Sequence, residues 1–140
     1  MKYIRNFKLF ETGEWPRDVD LDYCEENPDD DCEECNWIRE LKNQLEYIID
    51  NLENKDIFKI IDIRGFDQYQ GPYAIVKIFD NRFKIWTSES EELIINNFYI
   101  NNNDYEDNFI GNAKIIYEII NDIYSAGGPN VYKNAKKYNI

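Results

Sequence analysis

Trp37-Ile38-Arg39-Glu40-Leu41-Lys42-Asn43-Gln44-Leu45-Glu46-Tyr47-Ile48-Ile49-Asp50-Asn51-Leu52 is the stretch that decides the fold. Trp37, Ile38, Leu41, Leu45, Ile48, Ile49 and Leu52 recur at the three- and four-residue spacing that lines one face of an α-helix. The expected helix runs over residues 33–53. Asp30 or Asp31 can cap it, Glu33 and Glu34 suit its first turn through the helix dipole, and Asn54-Lys55-Asp56 breaks it.

Downstream, Ile57 to Ile63 is rich in β-formers. Tyr73–Phe79 and Phe83–Thr87 flank Asp80-Asn81-Arg82 and predict a hairpin. With Asp80-Asn81 as a two-residue turn, Val76 and Ile78 face Phe83 and Ile85 on the core side. Ser88-Glu89-Ser90-Glu91 has capping-box form and predicts a short helix carrying Leu93, Ile94 and Phe98. Phe109, Ile110, Ala113, Ile116, Tyr117, Ile120, Ile123 and Tyr124 predict a second long helix, stopped by Gly127-Gly128-Pro129. Upstream, Tyr3 to Phe10 alternates loosely. Asp18-Val19-Asp20-Leu21-Asp22-Tyr23 alternates strictly, predicting a second strand with its Asp face in solvent.

The expected order is therefore β-β-α-β-β-β-α-α. That is an α+β domain with a five-stranded, mainly antiparallel sheet, one long helix after strand 2 and two C-terminal helices. Residues 1–140 form one domain, with an acidic arm at 11–35 and a basic tail at 130–140 that carries Lys133, Lys136 and Lys137.

The charge is concentrated. Residues 11–40 hold 13 Asp/Glu against only Arg17 and Arg39, so −11 of the chain's −12 lies there. Between Asp18 and Glu34 stand ten carboxylates and no cation: Asp18, Asp20, Asp22, Glu25, Glu26, Asp29, Asp30, Asp31, Glu33 and Glu34. Clustered like charges repel, so folding does not favour them; what such a field attracts is a cation or a basic surface. A solvated acidic loop is the plainer alternative.

Several function classes lose their apparatus. The chain has no histidine, which removes His-based nucleophilic triads, His acid–base work and His-containing zinc sites. Its six glycines form no phosphate loop. No stretch approaches the ~20 apolar residues of a membrane span, and the N-terminus lacks signal-peptide form. A cytoplasmic protein is expected, and the abundant Asn, Ile, Lys and Tyr suit an AT-rich bacterial or viral genome.

Cys24, Cys32 and Cys35 are an odd number, which fits a reducing compartment better than a disulfide framework. They are candidate zinc ligands, with Cys32 and Cys35 as a C-x-x-C knuckle. The fourth ligand would have to be a carboxylate such as Asp22, Asp31 or Glu34. A redox role is opposed by the surrounding acid and favoured by the helix start. Asp18, Asp20 and Asp22 do not open an EF-hand loop, because Tyr23 stands where that loop needs Gly. On the far face of the hairpin, Ile75, Lys77, Phe79, Arg82, Lys84 and Trp86 interleave cations and aromatics as single-strand platforms do. A net charge of −12 argues against direct nucleic-acid binding, and the acidic arm is expected to lie over that face instead.

From Trp37 onward the expected order is helix, three strands, short helix, long helix. With Ile38-Arg39-Glu40-Leu41-Lys42-Asn43 opening it, Ser88-Glu89-Ser90-Glu91 after the third strand and Tyr105-Glu106-Asp107 before the last helix, residues 37–124 resemble a known family. It is that of the small acidic anti-CRISPR proteins of listerial phages, which block type II CRISPR nucleases. The resemblance implies DNA mimicry, with Glu106 and Asp107 in place of phosphates. It also implies that Asp80 and Asn81 form a turn that plugs the nuclease's catalytic domain.

The expected function is thus a non-enzymatic acidic inhibitor of a basic nucleic-acid-handling protein, such as a nuclease, with no direct nucleic-acid or membrane partner. Its contacts would be Asp18, Asp20, Asp22, Glu25, Glu26, Asp29, Asp30, Asp31, Asp80, Asn81, Glu106 and Asp107, with Trp15 or Tyr23 as anchors. No organic cofactor is expected. The rivals are an immunity protein for a basic bacterial toxin and a zinc-stapled adaptor domain.

Overall fold

The computed structural model describes residues 17–66, 71–87, 92–99 and 108–132. The predicted first strand, Trp15, the capping box at 88–91, Glu106, Asp107 and the basic tail from Lys133 lie outside them.

The long helix forms as its stripe predicts. It runs Glu33–Asp50 and is labelled α2, because a shorter helix, α1 (Leu21–Glu26), precedes it. Trp37, Ile38, Leu41, Leu45 and Ile48 are buried along its inner face. Its N-cap is neither Asp30 nor Asp31. The N-cap is Cys32, whose sulfur accepts the Cys35 N–H at 3.4 Å, while Asp30, two residues before it, accepts the Cys32 N–H at 3.1 Å.

Five strands follow: β1 (Phe58–Arg64), β2 (Tyr73–Ile78), β3 (Asn81–Thr87), β4 (Leu93–Asn96) and β5 (Asn108–Gly111). They form one antiparallel meander in sequence order. One row of paired residues crosses all of it: Ile63, Ala74, Ile85, Ile95 and Phe109. Every member is buried, so this row marks the core face. A bulge between Ile60 and Asp62 explains why β1 does not alternate simply. The extra residue, Ile61, is 43% exposed, and Phe58 and Ile63 both reach the core across it.

The next long helix, α3 (Ala113–Ser125), buries Ile116, Ile120 and Ile123. It lies beside α2. Tyr47 and Tyr117 meet edge to face at 5.9 Å, and the Asn121 amide donates to Asn51 O and accepts from Glu53 N. Gly127 and Gly128 end it with φ of 105° and 114°. Their N–H groups return to Tyr124 O and Ile123 O, which is a Schellman cap that only glycine adopts easily.

The α+β class and the five-stranded antiparallel sheet stand; the element boundaries differ at four places. Asp18–Tyr23 is not a strand. Asp20 caps α1 by accepting the Tyr23 N–H at 2.9 Å, and only Asp20 itself bridges to β1, at Arg64. Aspartate suits an N-cap far better than a strand interior, so the cap overrides the alternation. Leu93–Asn96 is a strand rather than a short helix, because Leu93-Ile94-Ile95 fills the slot between β3 and β5. Phe109 and Ile110 belong to β5. The helix begins only after Asn112, whose side chain accepts the Ile115 N–H at 2.9 Å. The hairpin turn is Phe79-Asp80, with Asn81 already paired to Ile78.

That last shift changes every cross-strand partner and keeps the faces of the paired residues, but it takes Phe79, expected on the far face, into the turn, where it packs against the core. Moving the turn by one residue moves each partner by two, so Val76, Ile78, Phe83 and Ile85 stay in the core. Phe79 takes φ of 55°, unusual for a bulky residue. Its N–H donates to Ile57 O at 2.8 Å and its ring meets Tyr99, so tertiary contacts hold the turn there.

Candidate functional site: an acidic arm tied to the long helix

The arm from Arg17 to Glu34 buries Val19 and Cys24 and turns most of its carboxylates outward. Val19 is buried, and its carbonyl accepts the Gly65 N–H at 3.0 Å just past β1. Gly65 is required there, because a Cβ would stand 2.8 Å from Glu34 Cβ. Cys24 on α1 is buried against Cys35 on α2, and the two form a disulfide, Cα to Cα 5.6 Å. This departs from the reading of three unlinked cysteines; Cys32 alone is free.

The only two cations of residues 11–40 both serve this region. Arg17 reaches Asp30 at 3.1 Å, donates to the Tyr23 hydroxyl at 2.7 Å and lies 5.3 Å over the Tyr23 ring. Arg39 donates to Asp30 O at 3.0 Å and reaches the carbonyls of Cys24 and Pro28. The Tyr23 hydroxyl in turn donates to Asp30 at 2.7 Å. Tyr23 and the Cys32 N–H, with Arg17, hold the Asp30 carboxyl well below the usual carboxylate range. Burial pushes the Cys32 thiol up, and the nearby Asp30 charge adds to it. Tyr23 is therefore part of an internal clamp rather than an exposed anchor.

The remaining acids divide into paired and unpaired. Asp18 meets Arg64 at 3.7 Å and Glu25 meets Lys42 at 2.9 Å; the Glu25 bond raises the Lys42 pKa. Asp20 is spent on the α1 cap. Glu34 is buried. Among the described residues, Asp22, Glu26, Asp29, Asp31 and Glu33 are exposed and make no ion pair. They follow one another along α1, the connecting loop and the first turn of α2. Beside them a shallow groove of about 410 Å³ opens between Glu33, Asn36, Trp37, Arg39, Glu40 and Asn43.

The predicted contacts do not all converge. The arm joins the C-terminal end of β1, through Asp20 and Arg64. Asp80 lies beyond the N-terminal end of β1, where Phe58 pairs with Ile78. A seven-residue strand separates them by roughly 20 Å. Asn81 is not at the turn tip; its amide donates to the Tyr99 hydroxyl at 3.0 Å.

No family model matches the sequence, and no curated protein or solved structure is significantly similar to it. The site is thus read from its own geometry.

The far face of the hairpin carries the expected Ile75, Lys77, Arg82, Lys84 and Trp86, with Tyr73 beside them and Phe79 in the turn instead. Lys84 Nζ lies 4.5 Å from the Tyr73 ring centre and 5.6 Å from that of Trp86. The described part of the arm does not pair with Lys77 or Arg82; its acids reach Arg64 and Lys42 instead. No helix among the described residues is long and apolar enough to cross a membrane.

The disulfide and the clamp around Asp30 were not foreseen. Their signal was the convergence of Arg17, Tyr23 and Arg39 on one loop, which no linear spacing displays.

Proposed function

We propose that the protein is a non-enzymatic inhibitor that presents carboxylates to a basic, nucleic-acid-handling surface where phosphates normally sit. The observation that carries this reading is the run of exposed, unpaired acids on a tied scaffold: Asp22, Glu26, Asp29, Asp31 and Glu33. A flexible acidic tail would lose conformational entropy on binding. An arm held by a disulfide, a buried valine and two arginines has lost much of it beforehand.

Electrostatics of this kind accelerate association and fix register more than they add affinity. The complex should form quickly at low salt and weaken as the Debye length shrinks.

The resemblance to listerial anti-CRISPR proteins supplies the first partner to try. The order behind it, three strands then two helices after α2, differs from that of the described residues, where five strands precede α3. The arm, which that family lacks, carries the phosphate-like charge in this reading; Asp80, Glu106 and Asp107 are secondary. The test is capture of a guide-loaded type II CRISPR nuclease by tagged protein at low and raised salt. Salt-sensitive capture that target DNA competes away supports the reading. Absence of capture at low salt counts against this partner, and capture of a basic toxin instead would make the protein an immunity factor.

A further inference from the structure

We propose that the arm carries a redox-gated divalent-metal site, in which reduction of the Cys24–Cys35 bridge frees a Cys24, Cys32, Cys35 and Asp30 donor set suited to zinc. This goes beyond the inhibitor reading and does not depend on it.

Three of the four donors already converge. One oxygen of Asp30 and the sulfurs of Cys32 and Cys35 all lie within 4.8 Å of one another, and the Cys24 sulfur is bonded to that of Cys35. Tetrahedral zinc holds thiolates at about 2.3 Å and a carboxylate oxygen at about 2.0–2.2 Å, which spaces its donors roughly 3.5–3.8 Å apart. Closing the set keeps Asp30, Cys32 and Cys35 near their present places and brings in Cys24, whose sulfur the broken bridge releases. Cys24 and Cys35 are buried, whereas Cys32 and Asp30 are half-buried and leave an approach from solvent. The expected carboxylates Asp22, Asp31 and Glu34 are not in this cluster.

The surroundings are those of a metal ligand shell. Asp30 is oriented by the Cys32 N–H, the Tyr23 hydroxyl and Arg17, and Cys32 Sγ accepts the Cys35 N–H. Such outer partners fix ligand orientation. Three thiolates and a carboxylate around a divalent cation leave two negative charges. Arg17, on the Asp30 carboxylate, and Arg39, on the loop carbonyls, stand where they offset them.

The chemistry balances. A dithiol or phosphine reductant supplies two electrons, solvent supplies two protons, and the bridge becomes two thiols. Uptake of the divalent ion then releases three thiol protons. Bridge and metal exclude each other, because neither sulfur can serve both. Either one ties α1 to α2, so the arm would remain held in oxidising surroundings and in reducing ones that supply zinc.

The test uses the full chain, reduced under nitrogen with a phosphine, freed of reductant and titrated with Co²⁺ as a spectroscopic substitute for zinc. The expected result is one equivalent bound, with thiolate-to-cobalt charge-transfer and tetrahedral ligand-field bands that one equivalent of Zn²⁺ removes. The oxidised chain should show none. Asp30→Asn should weaken binding at least about tenfold, and Cys32→Ser should abolish the bands. If reduction alone lowers the helical circular dichroism, Zn²⁺ should restore it. A reduced chain with neither bands nor zinc-driven recovery would overturn the proposal, as would an Asp30→Asn chain that binds as tightly as the parent.

Discussion

Asp30 shows how one carboxylate among many acquires a structural role. Its neighbours Asp29 and Asp31 are exposed, whereas Asp30 accepts from Tyr23, Arg17 and the Cys32 amide. These bonds favour the ionised form and lower its pKa in the folded state. A depressed carboxylate stabilises the fold fully above its unfolded pKa of about 3.9, and that contribution disappears as pH falls through the folded value. Asp30→Asn should therefore be less stable than the parent at pH 7, with a gap that narrows below about pH 4. Urea midpoints across pH measure this; a gap that widens in acid would contradict it. None of this was visible in the sequence, where Asp29, Asp30 and Asp31 are chemically identical.

At the scale of elements, strong periodicity was legible and boundaries were not. The stripe from Trp37 to Leu52 is long enough that no competing pattern overrides it. The hairpin alternation placed the right residues in the core although its turn lay one residue off, because a two-residue slip of partners preserves faces. Two of the misread segments have a capping residue inside an apolar or alternating run: Asp20 before α1 and Asn112 before α3. In both, one side-chain hydrogen bond to the backbone outweighs the apparent pattern. The link between α1 and α2 is itself testable. Closing a loop of about 12 residues is worth about 3 kcal/mol, so Cys24→Ser should lower urea stability by that order. No change would mean that Val19 and the two arginines hold the arm unaided.

For the whole molecule, the excess charge is set apart from the core. The five-strand row from Ile63 to Phe109 and the inner faces of α2 and α3 make one core. The carboxylates lie on an appendage that the core holds through Val19, Cys24 and Arg64. Self-repulsion across that appendage should make the fold more stable as salt rises, since screening shortens from about 10 Å at 0.1 M to 3 Å at 1 M. A melting temperature that falls with added sodium chloride would contradict this. The acidic arm was legible as a candidate site from its charge density alone. Its separation from Asp80 by the length of β1 was not, because that distance is a property of the sheet.

The most direct test replaces the unpaired acids together: Asp22→Asn, Glu26→Gln, Asp29→Asn, Asp31→Asn and Glu33→Gln in one chain. Stability and capture of the guide-loaded nuclease are then measured beside the parent. The account predicts a fold about as stable as the parent, because relief of mutual repulsion offsets the lost helix-dipole contributions of Asp22 and Glu33, and loss of salt-sensitive capture. A variant that is folded and captures the nuclease as well as the parent does would contradict it.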